Sequence, residues 1–221
     1  MKIDHVIARQ ILDTRGRPTI ETTLRSGEFS ATASVPSGES TGEHEAVERR
    51  DPDGSVRSEV TNENTEIADA LIGRDFALLD ELDAFLIELD GTPNKSRLGA
   101  NEILSVSISA MRLSGIIDGI PLWKAIAQRA GTNASAPRLF VNVMTGGVHA
   151  GFKLPFQEYM LVVEGKTSDA LPITEKAFRR LGEILCAGTP MGDEGGYAPT
   201  FDTLEKPFEI LAELVKEFPN T

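Results

Sequence analysis

Apolar and polar residues alternate along the first 34 positions, with Ile3, Val6 and Ile7, then Ile20, Thr22 and Leu24, then Phe29, Ala31 and Ala33 on the two-residue period of half-buried strands. Arg15-Gly16-Arg17-Pro18 and Ser26-Gly27-Glu28 interrupt the alternation with turn residues, which predicts a three-stranded antiparallel meander. A loop rich in Ser, Gly and Thr follows over residues 35–45. The period then changes to helical over residues 64–71 and 76–89. Residues 101–117 carry the longest helical pattern, with Ile103, Leu104, Val106, Ile108 and Met111 expected to face inward, and residues 121–130 add a short helix. Strands first and helices after predict an α+β domain.

Gly131-Thr132-Asn133-Ala134-Ser135-Ala136-Pro137 is small, polar and ended by proline, so a domain boundary is expected there, with a first domain over 1–131 and a second over 138–221. Beyond it, residues 139–144 and 156–163 read as strands, and residues 168–185 and 204–218 as helices. The second region therefore has the order ββαα.

Charge narrows the partners. Twenty-two Lys and Arg against 34 Asp and Glu give a formal net charge of −12, which repels a phosphate polymer and argues against nucleic acid. A small anion is still admissible, because a local cluster of donors can reverse the field inside one cleft. Cys186 is the single cysteine, so no internal disulfide is expected. No run of 18 apolar residues occurs and the N-terminus lacks a signal-like apolar core, so a cytoplasmic chain without membrane association is expected.

Several glycine-rich segments carry candidate chemistry. Val35-Pro36-Ser37-Gly38-Glu39-Ser40-Thr41-Gly42-Glu43-His44-Glu45 offers backbone donors and hydroxyls that could close over a phosphate or metal. Gly91 to Asn101 precedes the long helix, and Gly146-Gly147-Val148-His149-Ala150-Gly151 follows the first strand of the second region. Gln157-Glu158 opens the next strand, and Gly192-Asp193-Glu194-Gly195-Gly196-Tyr197-Ala198-Pro199 lies between the last two helices. Taken singly, each reads as an ordinary turn or a solvated loop.

In this order, the segments resemble enolase, the lyase family that interconverts 2-phosphoglycerate and phosphoenolpyruvate. The resemblance implies an α+β N-terminal cap domain followed by an enolase-type β/α barrel, of which this chain holds only the first ββαα. It also implies roles residue by residue. Glu194 matches the acid that protonates the departing hydroxide, and Glu158 a glutamate in the same acid and hydroxyl network. His149 and Gln157 match substrate-binding positions, and Ser40 the loop ligand of a second Mg²⁺. A carboxyl beside another carboxyl is held protonated more easily, so Glu158 and Glu194 are candidates for such a pair.

The family's carboxylate ligands for magnesium and its lysine base come from later barrel strands and have no counterpart in these residues. Glu205, Glu209, Glu213 and Glu217 recur at four-residue spacing, the pattern of a solvated helix face rather than of converging ligands. Thr145 stands where the family has asparagine, and Glu39 where it has alanine. A closed barrel needs about 200 residues or more, so an open sheet edge is expected, covered in a homodimer or by another partner. The readings that follow are an enolase completed by a second polypeptide, binding a phosphorylated substrate, a non-catalytic binding or oligomerisation module, and an incomplete gene product whose remainder is not in this sequence.

Overall fold

A computed structural model of the protein describes residues 1–38, 41–218 and 221. The chain divides into two compact units, Met1–Ala134 and Ser135–Thr221.

In the first unit, β1 (His5–Leu12), β2 (Pro18–Ser26) and β3 (Phe29–Ser34) form an antiparallel sheet in sequence order. The register sets Val6, Leu24 and Ala31 side by side across the three strands, and Ala8, Thr22 and Ala33 likewise. Side chains alternate faces along a strand, so these residues line one face, and all six are buried. Gly27, at φ +57°, makes the tight turn between β2 and β3, where its amide donates to Asp4 at 2.6 Å.

The helical layer runs α1 (Arg57–Asn62), a π-helical turn (Glu63–Ile67), α2 (Ala68–Leu71), α3 (Leu79–Asp90), α4 (Ala100–Ile117) and α5 (Leu122–Arg129). Helix α4 lies on β2 and β3, and Val106, Ala110 and Leu113 join Leu24, Ile67, Leu71 and Leu86 in one core. At about 25 cal/mol per Å², each fully buried leucine of this cluster stabilises the unit by roughly 2 kcal/mol. The inward face expected for α4 needs one correction: Leu104 is 42% exposed, because it lies on the side away from the sheet while Ser105 and Ser109 take inward positions. The helix expected over 64–71 also begins earlier, at Arg57, and passes through the wider π turn.

In the second unit, β4 (Leu139–Thr145) pairs antiparallel with β5 (Glu158–Val163), with a bulge between Asn142 and Met144. Two amphipathic helices, α6 (Thr167–Ile184) and α7 (Lys206–Glu217), cover one face through Ala177, Leu181, Ile210 and Leu214. The first unit is thus an α+β domain, a three-stranded antiparallel sheet covered by helices, the second has the order ββαα, and no closed barrel forms among the described residues. The free side of β4 is met at Met144 by Tyr197, in a parallel bridge, while Phe140 and Met160 remain exposed. Glu209, Glu213 and Glu217 are exposed on α7, and Glu217 accepts from Arg180 at 2.8 Å. No single helix among the described residues is long and apolar enough to cross a membrane.

Candidate functional site

Antiparallel pairing sets the end of β4 against the start of β5, with Thr145 directly opposite Glu158. The connection between them folds back tightly: the amide of Gly146 donates to the Gln157 carbonyl at 2.8 Å, and that of Gly147 to the Leu154 carbonyl at 2.9 Å. Within it, Gly147–Ala150 forms one 3₁₀ turn that buries His149. Gln157 and Glu158 therefore emerge at the same end of the sheet as His149, and Gln157 Nε2 donates to Glu158 Oε1 at 2.8 Å.

A second loop brings in Glu194. Residues 192–196 close on themselves, since Gly192 N–H donates to the Gly196 carbonyl at 2.8 Å, and Gly195 takes φ +82°. The loop sits on Thr145, whose amide donates to the Tyr197 carbonyl at 2.9 Å. A Cβ on Gly192 would lie 2.8 Å from the Thr145 side chain, and one on Gly196 2.5 Å from Thr145 Oγ1, so only glycine permits this approach. Tyr197 stacks on Phe178 of α6 at 4.7 Å between ring centroids, tying the loop to the helix layer.

The consequence is that Glu194 Oε1 lies 3.9 Å from His149 Nε2, and Glu194 Oε2 is 3.4 Å from Asn142 Nδ2. The His149 side chain is 4% exposed and that of Glu194 38% exposed, so the carboxyl can reach a ligand from the open side while the imidazole backs it. A carboxyl so placed can exchange a proton with a bound molecule, and it gains an ionic contact whenever the imidazole is protonated. Glu158 shares this end of the sheet, but its hydrogen bond goes to Gln157 and not to Glu194. Ser40, like Glu39, lies outside the described residues.

Sequence reasoning passed over Asn142. Its Nδ2 also donates to Thr145 Oγ1 at 3.1 Å, and its Oδ1 is buried without a partner, so it links the strand to the acid. The signal available was an amide inside the otherwise apolar run Leu139 to Met144. Among the described residues no three His, Cys, Asp or Glu side chains converge to hold a metal ion.

The enolase N-terminal domain family matches residues 3–126, and the enolase C-terminal TIM barrel domain family matches residues 133–219. Enolase B of Dictyostelium discoideum is 41% identical over 229 aligned positions, covering 97% of this chain and 52% of that protein. Enolase 1 of Entamoeba histolytica is 40% identical, with the same coverage. Enolase of Thermococcus kodakarensis is 39% identical over 98% of this chain and 53% of its own length. The chain thus spans about half the length of these curated relatives.

Proposed function

The chain belongs to the enolase family, and on that premise we propose that its second unit is the acid half of a site that dehydrates 2-phosphoglycerate to phosphoenolpyruvate. The reaction removes the proton on C2 and breaks the C3–O bond, and hydroxide is a poor leaving group unless it is protonated as it departs. Glu194 donates that proton. Glu158 engages the substrate hydroxyl, while His149 and Gln157 hold the phosphate-bearing end. The observation that supports this reading most directly is the Glu194 carboxyl held 3.9 Å from His149 Nε2 at the open end of β4.

The family generally uses Mg²⁺, but the described residues do not assemble a site for it, so no step here runs through the metal. A base for C2 and the metal ligands are supplied from outside these residues, by a segment that covers the sheet face on which Phe140 and Met160 are exposed. Association as a homodimer and a cytoplasmic location belong to the same proposal.

The purified chain given 2-phosphoglycerate and Mg²⁺ is expected to form no phosphoenolpyruvate, and to form it when the C-terminal half of an enolase is added, followed by ultraviolet absorbance. In the completed enzyme, Glu194→Gln is expected to lower kcat about 100-fold or more, the usual worth of a positioned general acid. Persistent silence of the mixture would instead favour the non-catalytic binding or oligomerisation module.

A further inference from the structure

Among the described residues of the first unit three glutamates are buried: Glu59 on α1, Glu63 at the start of the π turn, and Glu102 in the first turn of α4, each no more than 1% exposed. We propose that Glu63 and Glu102 form a proton-operated latch that holds the α1 to α2 segment against α4 while both are neutral and releases it when they ionise.

Hydrogen bonding supplies the first argument. Glu63 Oε1 takes the Thr22 hydroxyl and its Oε2 lies 3.1 Å from Ser105 Oγ, whose own hydroxyl reaches the Glu102 carbonyl at 2.7 Å, so a protonated Glu63 donates to Ser105 Oγ and leaves the serine proton for that carbonyl. Thr22 occupies an inward position of β2, so β2, the π turn and α4 meet at this carboxyl. Both oxygens of Glu102 and Oε2 of Glu59 are buried without hydrogen-bond partners. A buried carboxylate with no donors is far costlier than a buried carboxylic acid, so protonation is the state that this packing tolerates.

Charge supplies the second. Glu102 feels Glu63, Glu59 and Arg49, with Asn62 the polar neighbour; Thr22 and Ser105 face Glu63. Arg49 is the one cation among these groups, and its Nε stands 3.9 Å from Glu59 Oε1. Its Nη1 is engaged by the Arg97 carbonyl. Three carboxylates thus face one guanidinium that is already shared. Burial, then the Glu63 and Glu59 charges, push the Glu102 carboxyl up to about 9. Burial pushes Glu63 up to about 7 against the donors Thr22 and Ser105. A divalent cation does not replace the protons, since these side chains do not converge as metal ligands.

The sign of the linkage is fixed. Both folded values stand above the ordinary glutamate value of 4.5, so the stabilisation is complete below that pH and declines as pH rises through about 7 for Glu63 and about 9 for Glu102. Each group weakens closure about tenfold per pH unit inside its window. A π turn, with its wider hydrogen-bond ring, is a suitable place for the segment to part from α4.

The test is amide hydrogen exchange of the full chain from pH 6 to 9, corrected for intrinsic exchange, read on peptides covering 57–71 and 100–117 with α6 and α7 as internal reference. Protection in the first two peptides is expected to fall about tenfold per pH unit between 7 and 9. In the Glu63→Gln/Glu102→Gln chain, which keeps shape and removes the titration, that fall should vanish. Infrared spectra of the unsubstituted chain at pH 6 should show the carbonyl stretch of buried carboxylic acid, reduced to about a quarter by pH 9, where Glu63 is ionised and Glu102 is half ionised, and this reading needs no variant. An unchanged pH dependence in the double variant, ionised carboxyls at pH 6, or protection restored at pH 9 by millimolar Mg²⁺ or Ca²⁺ would each overturn the latch.

Discussion

Gly146→Ala is expected to disrupt the second unit, at a cost of about 3 kcal/mol or more. A Cβ at this position would lie 2.1 Å from the Phe156 carbonyl oxygen and 2.7 Å from both Cβ and the carbonyl oxygen of Leu154. Those are backbone atoms and a buried side chain, so none can swing aside. The loop must instead retreat from β4, breaking the 2.8 Å bond from the Gly146 amide to Gln157 and carrying Gln157 and Glu158 with it. Gly188→Ala in the same unit is the control, since its φ of +90° is strained for alanine but nothing lies within 4 Å, and about 1 kcal/mol is expected. Hydrogen exchange and limited proteolysis localised to residues 135–218 would measure both. A Gly146→Ala chain as protected there as the Gly188→Ala chain would contradict the packing argument.

Asp90→Ala is expected to cost the first unit about 3 kcal/mol, mostly through donors left unpaired. Asp90 ends α3 and is 2% exposed. Its carboxylate accepts the amides of Thr92 at 3.0 Å, Arg97 at 3.1 Å and Leu98 at 2.7 Å, together with the Thr92 hydroxyl. One side chain thereby organises the whole connection from α3 to α4. Burial works to raise its pKa, but the bonds from Thr92, Leu98 and Arg97 together hold it below the ordinary aspartate range. The linkage therefore runs opposite to that of the glutamates: the stabilisation is present above about pH 4 and is lost as acid protonates the folded carboxylate. Urea titrations at pH 7 and pH 3 should show a large difference between the parent and Asp90→Ala at the first pH and a smaller one at the second. Equal differences would mean that the ionised form is not what holds the loop.

The legible part of the fold is the part in which neighbours in sequence carry the information. Strand alternation with Gly27 between β2 and β3 predicts the meander, because a side-chain period of two with a turn residue leaves few other pairings. The glycine segments around His149 and Glu194 carry information only through their order, and packing decides what Gly146, Gly192 and Gly196 make room for, while Gly151 and Gly195 meet nothing and take positive φ instead. Leu104 misled for the converse reason. It sits at helical spacing with Ile108 and Met111, yet the sheet meets the neighbouring stripe that includes Ser105 and Ser109.

Two sets of glutamates mark where local pattern stops. Glu209, Glu213 and Glu217 repeat every four residues along α7 and are exposed, whereas Glu59 and Glu63, at the same spacing, are buried beside Glu102. From sequence alone the chain's membership among enolases, its strand and helix order and its negative charge were determined, because each rests on residue type and interval. Which carboxyls meet water, and that Glu194 finds His149 and Asn142, was decided only by packing: helical period says which residues share a face, and the rest of the fold says what that face touches.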